Sequence, residues 1–152
     1  MPLSKPLDNF SGKNVWIIGA SSGIGEACAN LIAQKGGNLI LSARRGEVLQ
    51  DIQARILASA DNSTTVELIP MDVSDTESVA KAFQQFQSLN CSIDVLLFVS
   101  GIYQPVRAHQ FEFKVAQDIV NTNLLGPMRI LEKLLPTFIK QKHGHIAIVG
   151  SV

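Results

Sequence analysis

Three glycines in seven residues stand where the first apolar run of this chain gives way to its first helical stretch: Gly19-Ala20-Ser21-Ser22-Gly23-Ile24-Gly25. Val15–Ile18 ahead of them is continuous, apolar and of strand length. Behind them Ile24, Ala27, Cys28, Leu31 and Ile32 fall at helical spacing, which predicts a helix over Gly23–Lys35 stopped by Gly36-Gly37. Glycine at 19 lets the chain turn sharply off the strand. Glycine at 23 keeps a Cβ out of the way of a ligand, and glycine at 25 lets helix and strand pack closely. The start of the helix offers unpaired N–H groups and a positive dipole end, which suit a diphosphate. Two rival readings use the same residues. Gly19-x-Ser21-x-Gly23 matches a nucleophile elbow, but an elbow needs an acid and a histidine after it, and His109, His143 and His145 show no such pairing. A phosphate loop of the Gly-Lys-Ser/Thr kind is excluded, because no such tripeptide follows.

The strand-then-helix pattern repeats down the chain. Leu39–Leu41 is a second apolar run, and Val48, Ile52, Ile56 and Leu57 mark a second helix. Val66–Ile69 is a third run. Ser74-Asp75-Thr76-Glu77 reads as a capping box that opens a helix through about Gln87. Ile93–Val99 is a fourth strand, a long helical region extends from about Phe113 to Lys140, and Ile146–Val149 is a fifth strand. Strands apolar on both faces, each followed by a helix, predict a parallel sheet covered on both sides. The expected fold is α/β: one Rossmann-like, doubly wound parallel sheet of order 3-2-1-4-5 within a single domain over residues 1–152. A sheet that ends on a bare strand reads as cut, so more chain is expected after Val152.

Composition narrows the function classes. Thirteen Lys and Arg balance thirteen Asp and Glu, so neither nucleic acid nor an anionic membrane is an expected partner. No apolar stretch approaches the ~20 residues of a membrane span, and residues 1–14 carry no signal-peptide core. Cys28 and Cys91 make neither a disulfide framework nor a metal cluster. A cytoplasmic protein with a small-molecule partner is the expectation. The apolar stretch Ile130–Ile139 reads as core, with a part in a homo-oligomer left open.

The second strand runs into Leu41-Ser42-Ala43-Arg44-Arg45. In a dinucleotide fold this place, ~20 residues past the glycines, meets the adenosine ribose. An acid there would hold the 2′-hydroxyl of NAD; Ala43 and Arg44 stand there instead, and an arginine, with Arg45 beside it, suits the 2′-phosphate of NADP. Hydrogen bonds to charged groups are worth ~1.5–3 kcal/mol, so one arginine could favour NADP roughly 10- to 150-fold. The competing reading is a solvated basic pair opening a helix. Asp72, with Val73 at the end of the third strand, could accept from an adenine amino group or cap the next helix.

These features together resemble the short-chain dehydrogenase/reductase family. Gly19 to Gly25, with Ser21, Ser22 and Ile24 between the glycines, looks like its glycine motif, and Asp72-Val73 looks like its adenine-contacting pair. Asn123-Leu124-Leu125-Gly126 looks like the segment bearing its active-site Asn, and Gly144–Val152 looks like the strand that delivers its catalytic Ser. The resemblance implies an NADP-dependent oxidoreductase that moves hydride between nicotinamide and a carbonyl or secondary alcohol. It implies that Ser151 hydrogen-bonds the substrate oxygen and that Asn123 supports a water in a proton relay. Pro127, four residues after Asn123, has no N–H to offer the Asn123 carbonyl, which favours that role. Two places depart from the family pattern. Phe98-Val99-Ser100-Gly101 stands where the family has Asn-Asn-Ala-Gly, although Ser100 and Gly101 still leave room for the nicotinamide ribose. No Tyr-x-x-x-Lys is present: the single tyrosine, Tyr103, is followed by Pro105 and Arg107 in a loop. Were the polypeptide to stop at Val152, it would be an NADP-binding module without its general acid/base, a loss worth ~10²–10⁴ in rate.

Overall fold

A computed structural model describes residues 9–60 and 63–150. Among these residues five strands, β1 (Asn14–Ile18), β2 (Asn38–Ser42), β3 (Val66–Leu68), β4 (Val95–Phe98) and β5 (His145–Ile148), form one sheet of order β3-β2-β1-β4-β5. Every pairing is parallel. This is the doubly wound, Rossmann-like architecture expected from the alternation of apolar runs and helical stretches. Among the described residues five α-helices connect the strands: α1 (Gly23–Gln34), α2 (Gly46–Ser59), α3 (Thr76–Ser88), α4 (Phe113–Val120) and α5 (Gly126–Gln141).

The period-two geometry of a strand sorts β1 onto two cores. Trp16 and Ile18 point into a cluster built with α3 and α5, among them Phe83, Phe86, Ile130 and Leu134. Val15 and Ile17 point the other way, into a cluster built with α1 and α2, among them Ala29, Leu49, Ile52 and Ile56. Both faces of β1 are therefore sealed, which is why its sequence shows no polar alternation. Trp16 stacks at a tilt on Phe83 and Phe86, with centroids 5.0 and 4.9 Å away. Its buried indole N–H donates to Ser42 Oγ at 2.8 Å, so the one polar atom of that ring is satisfied inside the core.

At the end of the sheet away from the helix starts, side-chain amides run across the strands. Asn14 Nδ2 donates to the Ser92 carbonyl (2.8 Å), Asn38 Nδ2 donates to Asn14 Oδ1 (3.1 Å), and Thr65 N donates to Asn38 Oδ1 (3.1 Å).

Two local expectations are corrected. The cap of α3 is Asp75, whose carboxylate accepts from Glu77 N at 2.9 Å. Ser74 is not the cap, because its hydroxyl and its N–H both donate to Asp72 Oδ1 (2.6 and 2.9 Å). The long helical region is likewise not one regular helix. α4 and α5 are joined by a π-turn over Asn121–Leu125, which ends two residues before Pro127, whose ring and missing N–H disfavour regular α-helix there.

Candidate functional site

The chain leaves β1 and walks outward through β2 and β3, then crosses back to β4 on the other side of β1. A crevice opens where the order reverses, at the carboxyl ends of the strands, as such sheets dictate. Pairing continues past the strand ends and sets its walls. Gly19 N and Ala20 N both donate to the Ser42 carbonyl, at 2.8 and 3.1 Å. Met71 N donates to the Ala43 carbonyl (3.0 Å), and Val99 N to the Ile18 carbonyl (2.8 Å). The loops after β1, β2, β3 and β4 are thereby held against one another around a cleft of about 310 Å³.

Most of the residues singled out from sequence line that cleft: Gly19, Ser21, Ser22, Ile24, Gly25, Arg44, Arg45, Asp72, Val73, Ser100 and Gly101. Gly19 has φ +97°, and a Cβ there would come within 2.6 Å of Ser100 N. The glycine thus serves both the turn and the close approach of the β4 loop. Gly25 differs from the expectation in detail. A Cβ on it would meet the Gly19 carbonyl oxygen at 2.1 Å and Val99 Cγ2 at 2.9 Å, so it packs on the turn itself rather than on the strand. Gly23 is not among the lining residues; its φ is +56° and nothing lies within 4 Å of where its Cβ would be.

The start of α1 is open. Ser22 takes the cap position without a side-chain hydrogen bond to the helix. The first amides of α1 therefore keep donors to spare, beside a positive dipole end. The acid in that first turn, Glu26, is drawn aside by Arg55 of α2, Nη2 to Oε1 at 2.8 Å. The start of α2 is open in the same way: Arg45 takes its cap position with no side-chain bond. Among the described residues neither Arg44 nor Arg45 forms an ion pair, and both side chains are exposed. Open amides and unpaired guanidiniums along one wall fit a ligand carrying several phosphates. Asp72 neither caps α3 nor stands free. Ser74 occupies its Oδ1, and its own N–H donates to Ser78 Oγ at 2.9 Å.

Asn123 does not line the cleft but fixes its rim. Its Oδ1 accepts from Ile102 N and its Nδ2 donates to the Ile102 carbonyl, both at 2.8 Å. A side-chain amide clamped on one residue's backbone in this way holds the loop after β4. Sequence reasoning did not single out Ile18, Met71, Val99, Ile102 and Thr122 as site residues, yet they also line the cleft, as does Ala43 beside Arg44. Met71 and Val99 directly adjoin residues that were singled out and could have been read from position alone. Thr122 could not, since the π-turn decides where it faces. Tyr103 is 86% exposed in its loop, and Ser151 lies outside the described residues. Among the described residues no group of metal-ligating side chains gathers, and no helix is long and apolar enough to cross a membrane.

The short chain dehydrogenase family profile matches residues 13–152. Dehydrogenase/reductase SDR family member 7 of Mus musculus is 32% identical over 139 residues, covering 91% of this chain and 41% of the relative. An uncharacterized oxidoreductase of Mycobacterium bovis is 33% identical over 147 residues, covering 95% and 43%. Among solved structures, the alcohol dehydrogenase of the archaeon Thermococcus sibiricus complexed with 5-hydroxy-NADP superposes with a TM-score of 0.83 at 28% identity, over 91% of this chain and 57% of that one. The L-sorbose reductase of Gluconobacter frateurii shares the fold, with a TM-score of 0.87 at 24% identity over 95% and 54%. The chain spans less than half the length of these curated relatives.

Proposed function

The chain belongs to the short-chain dehydrogenase family, and from that premise we propose that its cleft binds NADP(H) for an oxidoreductase acting on a carbonyl or secondary alcohol. The observation that carries the cofactor choice is the pair Arg44 and Arg45 at the cleft wall after β2, unpaired, where an NAD-binding site would present a carboxylate. The cofactor bound to the Thermococcus sibiricus relative supports the same choice.

The residues divide the work by position. The open start of α1, with Ser21 and Ser22, would hold the diphosphate. Arg44 would take the 2′-phosphate, with Arg45 beside it at the start of α2. Val73 and Asp72 would flank the adenine, Ser100 and Gly101 the nicotinamide ribose. When bound, the nicotinamide supplies or accepts the hydride. Ser151 would hydrogen-bond the substrate oxygen and orient it. Asn123, its side chain holding Ile102, would offer its main-chain carbonyl to a relay water, since Pro127 four residues on has no N–H to engage it.

Calorimetric titration of the intact protein tests this reading. NADPH is expected to bind more tightly than NADH, and Arg44→Ala to shrink that gap by roughly 10-fold or more. Equal affinities in the wild type, or a gap untouched by the substitution, would refute the assignment. Ser151→Ala is expected to slow turnover while leaving NADPH affinity within about twofold. Undiminished turnover would remove Ser151 from the chemistry.

A further inference from the structure

Three consecutive residues of the π-turn reach three different places. Asn121 Nδ2 donates to the Ser74 carbonyl (3.2 Å), Thr122 lines the cleft, and Asn123 clamps Ile102. The first of these contacts belongs to a larger bracket. Arg129, one turn into α5, places Nη1 3.2 Å from both the Val73 and the Asn121 carbonyls, and Nη2 2.6 Å from Asn121 Oδ1. Asn121 is thus locked by Arg129 on one side of its amide and bonded to Ser74 on the other. Val73 is gripped twice, since its side chain also packs where a Cβ on Gly126 would come within 3.1 Å of Val73 Cγ2. The half-buried Arg129 has no carboxylate partner among the described residues, so its donors go to carbonyl groups alone.

We infer that Arg129 and Asn121 are positioning residues that set the adenine side of the cleft by fixing the carbonyls of Val73 and Ser74. The inference rests on the cleft being a dinucleotide site. Guanidinium geometry matters to it. One planar fork spans three acceptors on two chain segments, which a lysine ammonium on its flexible stem cannot reproduce. The loop has few other anchors: the Asp72–Ser74 and Asp72–Ser78 bonds shape it internally, whereas Arg129 and Asn121 tie it to the helix that carries Thr122 and Asn123. π-turns inside helices recur at functional sites, and here the inserted turn faces both loops at once.

The test compares the two halves of the cofactor on the intact protein. Binding of 2′,5′-ADP is measured by calorimetry, and that of nicotinamide mononucleotide by saturation-transfer NMR. Wild type is expected to bind both. Arg129→Met is expected to weaken 2′,5′-ADP about tenfold and to leave nicotinamide mononucleotide within twofold, with Arg129→Lys between wild type and Arg129→Met. Because the two side chains act as a unit, Asn121→Ala should cost a similar factor, and adding it to Arg129→Met should cost little more. Should Arg129→Met not fold, Arg129→Lys and Asn121→Ala carry the same comparison. Unchanged 2′,5′-ADP affinity in a folded variant overturns the inference, as does an equal loss for both halves, which would make Arg129 a general prop of the fold. A wild-type protein that binds neither half would overturn the dinucleotide reading itself, and this inference with it.

Discussion

Ile17 and Ile148 are the same side chain in the same kind of strand, yet Ile17 is fully buried and Ile148 is 48% exposed. Among the described residues β1 has strands on both sides and a helical layer on both faces, while β5 pairs with β4 alone and α4 buries none of its residues. Ile146 and Val149 share the exposure of Ile148. An apolar run therefore records what a strand is able to bury, and its neighbours decide what it does bury. The crevice belongs mostly to the sealed part: its walls are loops leaving β1, β2, β3 and β4, and β5 contributes nothing to its lining among the described residues.

The sharpest way to probe that contrast is a methyl-sized change in each region. Gly25→Ala should abolish NADPH binding and destabilise the fold by roughly 1–3 kcal/mol or more, since its Cβ must displace the Gly19 carbonyl. Gly150→Ala, where nothing among the described residues lies within 4 Å, should stay within about 0.5 kcal/mol by urea denaturation. Near-equal effects would erase the distinction between the two regions. In stability alone, Trp16→Ala should cost about 3–5 kcal/mol against less than about 1.5 kcal/mol for Ile148→Ala in the 152-residue chain. A comparable loss for Ile148→Ala would mean that β5 is covered in solution.

Ser42→Ala should cost about 1–3 kcal/mol, because it strands the buried indole N–H of Trp16 without an acceptor. Loss of no more than a few tenths would show that the indole finds another partner. The smallest effect concerns Cys91 at the opposite end of the sheet. Burial pushes its thiol up, with the Glu67 carboxylate adding to the rise against a lowering backbone hydrogen bond. A raised thiol pKa means less thiolate at a given pH, so in a Cys28→Ser background iodoacetamide should react more slowly than with an unhindered thiol at pH 8. Glu67→Gln should move the rate–pH curve to lower pH, and an unmoved curve would dismiss that carboxylate as a cause.

The fold was legible because its signals are local. Apolar runs such as Val15–Ile18, the helical spacing of Ile24 to Ile32 and the glycine turn between them each declare themselves within a dozen residues. The glycine and arginine walls of the cleft followed from the same short-range logic. What stayed hidden depends on partners far along the chain. Arg129 meets Val73 across 56 positions and Asn123 meets Ile102 across 21, and no spacing rule announces either contact. The cap of α3 was misplaced by one residue for a related reason: Ser74 looked like a cap until Asp72 claimed both its hydroxyl and its N–H.

The amide chain through Asn14 and Asn38 bears on a problem that the hydrophobic pattern leaves open. Sliding one parallel strand by two residues returns every side chain to its proper face, so the two cores alone tolerate that error. The Ser92–Asn14–Asn38–Thr65 chain does not, since each amide meets its partner only at one alignment. It works as a vernier at the foot of the sheet: by fixing the stagger there, it fixes how far each strand protrudes at the far end, and so the depth at which a cofactor would be seated.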